Sequence, residues 1–100
     1  MTDDEQEFTL ACKRAIAECR TLGYNPSIWT RMVEEHGAVE TARRLIKSGD
    51  LQDGLLRLLR LSRVDLTVEH AVLDERWHDL FTDDEREAAR WRLGVAQGER

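Results

Sequence analysis

The sequence is poor in the residues that break helices or build sheets. Its 100 residues include one proline and six glycines, so little of the chain has the composition of a linker or a disordered segment. Aromatic residues make up 6% of the chain, and β-branched residues are also modest in number, which disfavours a sheet. Charged residues make up 35%, which is typical of helices with wide solvated faces. These proportions predict an all-α protein.

Long apolar runs are also missing from the sequence. No stretch of 18 or more apolar residues occurs, which predicts that no helix spans a membrane. The first six residues are acidic rather than basic and precede no long apolar stretch, unlike a signal peptide. Cys12 and Cys19 are seven positions apart on one predicted helix, about 10 Å along its axis, which is too far for a disulfide. We therefore expect reduced thiols in a cytoplasmic protein.

Apolar residues recur at helical spacing in several segments of the chain. In the first predicted helix, the apolar stripe advances by four and then three positions through Phe8, Cys12, Ala15, Cys19 and Leu22. Two capping boxes mark helix starts, at Thr2 with Glu5 and at Thr82 with Glu85.

Proline and glycine predict the other helix boundaries. Asn25 and Pro26 predict the cap and the first residue of a second helix, and residues 74–81 predict a loop or broken turn. Helix ends are predicted at Gly23, at residues 48–49 and at Gly94. The sequence thus predicts one domain over residues 1–100, a compact bundle of about five to six short helices. We expect an ordered core over about 3–94 and a frayed tail over 95–100.

Three segments carry a recognisable pattern: residues 37–46 (GAVETARRLI), 61–69 (LSRVDLTVE) and 80–86 (LFTDDER). The pattern resembles that of a small bacterial all-α domain family of uncharacterised function, over about residues 22–93. The resemblance implies a bacterial origin and a module that occurs alone or attached to larger proteins, and it implies no activity, cofactor or catalytic residue. The fold itself explains much of the pattern, since we expect its apolar positions to be core: Leu61, Leu66, Val72 and Phe81.

Residues suited to catalysis or metal binding do not occur at matching spacings. His36 and Glu40 are four positions apart, but Gly37 is expected to break their common helix face, and no zinc-type cluster of cysteine and histidine is present. Cys12 lies on the apolar stripe, where a thiol stays protonated. The glycines form no phosphate-binding loop, and paired acidic residues occupy first helical turns. We therefore predict a protein that is not an enzyme and has no metal or cofactor.

Charge is distributed unevenly along the chain. The formal net charge is −5, but residues 41–63 carry six basic and two acidic groups, and both flanking segments are acidic. The cations of this basic middle are Arg43, Arg44, Lys47, Arg57, Arg60 and Arg63. If the predicted third and fourth helices pack side by side, these residues form a patch for phosphates. In the alternative, they pair with the acidic helices or keep a leucine-rich hairpin soluble.

Two tryptophans are further candidates for a binding surface. Trp77 lies in the predicted loop, and Trp91 lies between Arg90 and Arg92 on the last helix. An exposed tryptophan beside arginine is typical of an interface hot spot. The alternative for Trp91 is half-buried packing at the edge of the core.

Two functional hypotheses follow from these observations. The first is a non-enzymatic interaction or regulatory module that binds another protein, or itself as a homodimer, and not a membrane. The alternative is a nucleic-acid-binding accessory domain that uses the basic middle. A contiguous basic face favours nucleic acid, whereas arginines that are matched by aspartate and glutamate argue against it.

Overall fold

The chain folds as an all-α protein, as its composition predicts. The computed structural model describes residues 3–47 and 53–98, which form six α-helices and two 3₁₀ helices and contain no strand. The helices are α1 (Asp3–Thr21), α2 (Ser27–His36), α3 (Ala38–Lys47), α4 (Asp53–Arg60), η1 (Val64–Leu66), α5 (Val68–Leu73), η2 (Glu75–Leu80) and α6 (Asp83–Ala96), where η denotes a 3₁₀ helix. Within these ranges, every helix is too short or too polar to cross a bilayer.

The end of α1 is set by a glycine with left-handed backbone geometry. Gly23 has a φ of +82° and donates its N–H to the Arg20 carbonyl at 3.1 Å. The Tyr24 N–H donates to the Cys19 carbonyl at 3.0 Å. This is the Schellman arrangement, which satisfies two of the last carbonyl groups of the helix. The predicted helix end at Gly23 is therefore confirmed.

The main core is built around Phe8 of α1. Its ring is fully buried and meets the rings of Trp77 and Phe81 edge-on, with centroid separations of 5.7 Å and 5.3 Å. Such edge-to-face pairs add about 0.5–1.5 kcal/mol to the burial of the rings. A smaller cluster joins Cys19 to Leu58 and extends the core towards α4.

The centre of the bundle is α3, which packs against α1, α2, α5 and α6. Its buried residues are mostly small, and they are Ala38, Thr41, Ala42 and Ile46. Small side chains let neighbouring helices approach closely, which suits a short helix surrounded by four others.

Several predictions of burial and of helix boundaries were wrong. The second helix begins at Ser27, with Pro26 as its N-cap residue. By contrast, residues 75–80 form η2, a 3₁₀ segment interrupted by a kink at Trp77, which matches the broken turn that the sequence predicts as one of two alternatives. On α1, Ile16 is buried, while Ala15 is half-buried against the core. Leu22 follows the helix and is exposed. Leu61 was expected in the core but is 41% exposed, in the turn that follows the last residue of α4.

The start of α6 is as predicted, but its end is not. Thr82 and Glu85 form a complete capping box: Glu85 N donates to the Thr82 hydroxyl at 3.1 Å, and Thr82 N donates to Glu85 Oε1 at 2.8 Å. The helix continues through Gly94 to Ala96, because a glycine inside a helix costs only about 1 kcal/mol. Gly98, two residues after the last residue of α6, has left-handed backbone geometry, with a φ of +79°.

Two of the predicted boundaries involve residues outside the described ranges. The first capping box needs Thr2, and the predicted end of the third helix falls at residues 48–49.

Candidate functional site

The basic middle of the sequence does not lie on two adjacent helices. The main neighbours of α3 are α1, α2, α5 and α6, whereas those of α4 are η1 and α6. The side-by-side packing of the third and fourth helices that a joint phosphate patch requires is therefore not among the principal contacts of the described residues.

Two of the six cations converge on a carboxylate of α6. Arg43 Nε lies 3.4 Å and Lys47 Nζ 3.6 Å from Glu85 Oε2, and the Glu85 side chain is buried. Arg43 also donates to the Leu80 carbonyl at 2.8 Å. Glu85 therefore serves both as the capping-box residue of α6 and as the counter-ion of α3. These contacts tie the two helices together.

A third cation, Arg44, pairs along its own helix. Its Nε donates to Glu40 Oε2 at 2.9 Å, and this hydrogen bond lowers the pKa of the Glu40 carboxyl below its usual value. Arg44 Nη1 also lies 3.4 Å from His36 Nε2. The possible metal pair of His36 and Glu40 is thus occupied by a guanidinium. Within the described ranges, no group of three or more candidate ligand side chains is placed to hold a metal ion.

The cations near α4 differ in their surroundings. Arg63 Nε donates to Asp65 Oδ1 at 3.1 Å, and Arg63 Nη1 lies 3.4 Å from Glu18 Oε1. The hydrogen bonding from Arg63 to Asp65 lowers the pKa of the Asp65 carboxyl. The guanidinium of Arg57 lies 5.3 Å from the ring centroid of Tyr24, a cation–π contact. Arg60 is exposed. Four of the six cations therefore have carboxylate partners.

The two candidate tryptophans have opposite environments. Trp77 is buried against Phe8, with the Arg76 guanidinium 4.9 Å from its ring centroid, so its ring belongs to the core. Trp91 is 59% exposed. In the described part of the chain it is the one exposed aromatic side chain, since Tyr24 is half-buried and the others are buried.

Trp91 belongs to an apolar stripe on α6. Ala88, Trp91 and Val95 follow one another at spacings of three and four, and Val95 is 42% exposed. We call these three residues the Trp91 face. An ion pair at its border joins Arg90 Nη1 to Glu87 Oε2 at 2.8 Å. A helix stripe of this spacing normally packs against a neighbouring surface.

Sequence reasoning missed a buried ion pair between α5 and α6. Arg92 Nε donates to Glu69 Oε2 at 2.8 Å, and the two side chains are 1% and 4% exposed. The partners are 23 positions apart, so neither helical spacing nor a local motif relates them. In the sequence, the burial of Arg92 is indicated only by its position on the helix, next to Trp91 and on a different face.

No protein-family model, curated protein or solved structure matches this chain. Any functional conclusion therefore rests on the residues and their geometry alone.

Proposed function

We propose that this protein is a non-enzymatic helical module that binds another protein, and that the Trp91 face is its contact surface. The exposure of Trp91 carries the proposal. The large apolar ring of tryptophan is usually buried in a core or in an interface, and this chain buries both Trp29 and Trp77. The partner supplies the apolar surface that covers the ring.

The shape of the Trp91 face favours a helix or an apolar groove as the partner surface. Its members occupy successive turns of α6, which is the pattern that helix-in-groove recognition uses. Glu87 and Arg90 at the border already pair with each other, so the partner need not supply counter-ions for these two charges. An apolar centre with a polar rim is the usual anatomy of a protein–protein interface.

The pairing of the basic middle supports a protein partner over nucleic acid. Arg43, Lys47, Arg44 and Arg63 each lie within 4.0 Å of a carboxylate oxygen, so phosphates would have to compete with those partners. The net charge of −5 also repels a polyanion at long range. A cytoplasmic setting is part of this proposal, because both cysteines are buried free thiols.

Affinity capture of the tagged protein from its host lysate tests the class of partner. The capture is done with and without nuclease, and each at about 50 mM and about 200 mM salt. Phosphate-mediated binding weakens steeply over this salt range. We expect a stoichiometric protein partner that survives both treatments. Partners that vanish with nuclease or at the higher salt would overturn the proposal in favour of nucleic acid. Sedimentation of the purified protein identifies a second copy as the partner.

A further inference from the structure

A second feature of the molecule is a partly enclosed cavity of about 310 Å³, which lies between the start of α2, α4 and the junction of η1 with α5. Trp91 is not one of the described residues that line it, so the cavity is separate from the Trp91 face. The apolar side chains of its wall are mostly buried, and they include Pro26, Trp29, Leu45, Leu58, Leu66 and Val68. An apolar cavity of about 150 Å³ is large enough to bind benzene, so this one has room for a molecule of about two rings.

The one charged residue in the described part of the lining is Glu69, and its charge is already compensated. Glu69 Oε2 accepts a hydrogen bond from Arg92 Nε at 2.8 Å, and both side chains are buried. A ligand cation would have to compete with Arg92 for this carboxylate, and a ligand anion would meet the carboxylate itself. Burying either charge without a partner of opposite sign is costly. The described wall therefore favours a ligand without net charge.

Three polar side chains of the lining have little to offer inside the cavity. Thr67 is buried, but its hydroxyl already donates to the Val64 carbonyl at 2.7 Å and accepts from the His70 N–H at 3.1 Å. Asn25 and Ser27 are exposed, so they lie at the mouth of the cavity. Binding in the interior is therefore stabilised mainly by apolar contact and by the removal of apolar surface from water.

We propose that this cavity binds a small neutral molecule, a compact apolar body of about two rings. The buried wall surrounds the body, and the ring of Trp29 favours an aromatic one, because pairs of aromatic rings gain more than their burial alone. The proposal does not depend on a protein partner at the Trp91 face, and either proposal can fail without the other.

Three probes test the preference for a neutral two-ring molecule with the unmodified protein. Isochroman is a neutral ether with two fused rings, and tetrahydroisoquinoline has the same shape but carries a protonated ring nitrogen at pH 7. Tetrahydropyran is a neutral ether with one ring. The ring position of the charge matters, because a charge within the ring cannot stay in water while the ring is buried.

Ligand-observed NMR measures the dissociation constants of the three probes. For isochroman we expect a value on the order of a millimolar. Tetrahydroisoquinoline is expected to bind at least about tenfold more weakly because of its buried charge, and tetrahydropyran about tenfold more weakly because it buries less apolar surface. The proposal is overturned if isochroman does not bind, or if either of the other probes binds as tightly as isochroman.

Contacts of the bound probe locate the site in the unmodified protein. Nuclear Overhauser effects are measured between isochroman and the methyl groups of the protein. We expect effects to Leu58, Leu66 and Val68, which line the cavity, and none to Leu10, an exposed leucine of α1 outside the lining. Effects confined to methyl groups outside the lining would place the binding elsewhere and overturn the assignment.

A pair of substitutions at Leu45 tests whether the space itself is needed. Leu45 lines the cavity and is half-buried, so Leu45→Trp is expected to fill the space and to abolish binding of isochroman. Leu45→Met conserves the volume and is expected to leave the dissociation constant within about twofold. A folded Leu45→Trp variant that binds isochroman as tightly as the unmodified protein would contradict the proposal. If this variant does not fold, the contacts of the probe in the unmodified protein decide.

Discussion

Arg92 of α6 and Glu69 of α5 form an ion pair that is almost completely buried, with 2.8 Å between Arg92 Nε and Glu69 Oε2. The contact joins two helices that pack extensively against each other. Removing both charges from water costs several kcal/mol per ion, and their mutual attraction offsets this cost only while both partners are present. The pair therefore makes the α5–α6 arrangement sensitive to single substitutions.

Loss of one partner of this pair is expected to be strongly destabilising. Arg92→Met leaves the Glu69 carboxylate buried without its partner, which lowers the free energy of unfolding by about 3–5 kcal/mol. Replacing both residues, as in Glu69→Gln with Arg92→Met, is expected to recover part of that loss. Urea denaturation followed by circular dichroism measures both effects.

The exposed pair of Arg90 and Glu87 provides the matched control. Both side chains are more than half exposed, so Arg90→Met is expected to change the free energy of unfolding by less than about 0.5 kcal/mol. If Arg92→Met is no more destabilising than Arg90→Met, the buried pair does not hold the two helices together.

The end of α4 offers a stabilising substitution. Ser62 has a φ of +59°, a left-handed geometry that is unfavourable for residues other than glycine, and the N–H of Arg63 donates to the Leu58 carbonyl at 2.8 Å. Ser62→Gly is expected to raise the free energy of unfolding by about 0.5–1 kcal/mol, because relief of this strain exceeds the added entropy of the unfolded chain. Ser27→Gly, at the first residue of α2, is the control and is expected to give no gain. A lower stability for Ser62→Gly would contradict this interpretation of the turn.

The Cys12 thiol is expected to be unreactive in the folded protein. Burial raises its pKa from 9.0 to about 12, so the thiolate fraction at pH 8 falls by about a thousandfold. Alkylation of a Cys19→Ala variant by iodoacetamide isolates Cys12, and we expect rapid labelling only in denaturant. Because the folded pKa is the higher one, the contribution of this thiol to stability is present below pH 9 and is lost as the pH rises towards 12. Labelling of native Cys12 at the rate of a free cysteine would show that the site is open.

Local features of the fold could be predicted from the sequence. Thr82 with Glu85 and Gly23 with Tyr24 are short motifs whose hydrogen bonds close within a few residues, and both form as predicted. The helix end predicted at Gly94 was wrong, because a glycine ends a helix only where the chain turns away from the helix axis. Here α6 continues past Gly94 while it packs against α3, α4 and α5.

Features that depend on tertiary contacts could not be predicted. Lys47 and Glu85 are 38 positions apart in the sequence, and Arg92 and Glu69 are 23 positions apart. The sequence carries no periodic signal over such separations. The same limit applied to the six cations of the basic middle. Their sequence suggested one patch or internal pairing, and the contacts of the folded chain distinguish between these: Arg43 and Lys47 meet Glu85 of α6, and Arg63 meets Glu18 of α1.

Trp91 is the centre of the proposed protein-binding surface. The decisive measurement is the amount of partner captured by the tagged protein, by Trp91→Gln and by Leu10→Gln, quantified by mass spectrometry after nuclease treatment. Leu10 is 51% exposed on α1 and is the control for the loss of an exposed apolar side chain. We predict that Trp91→Gln reduces capture by about 30-fold, as expected for a hot spot of about 2 kcal/mol, and that Leu10→Gln leaves it unchanged. Full capture by a folded Trp91→Gln protein would contradict the account.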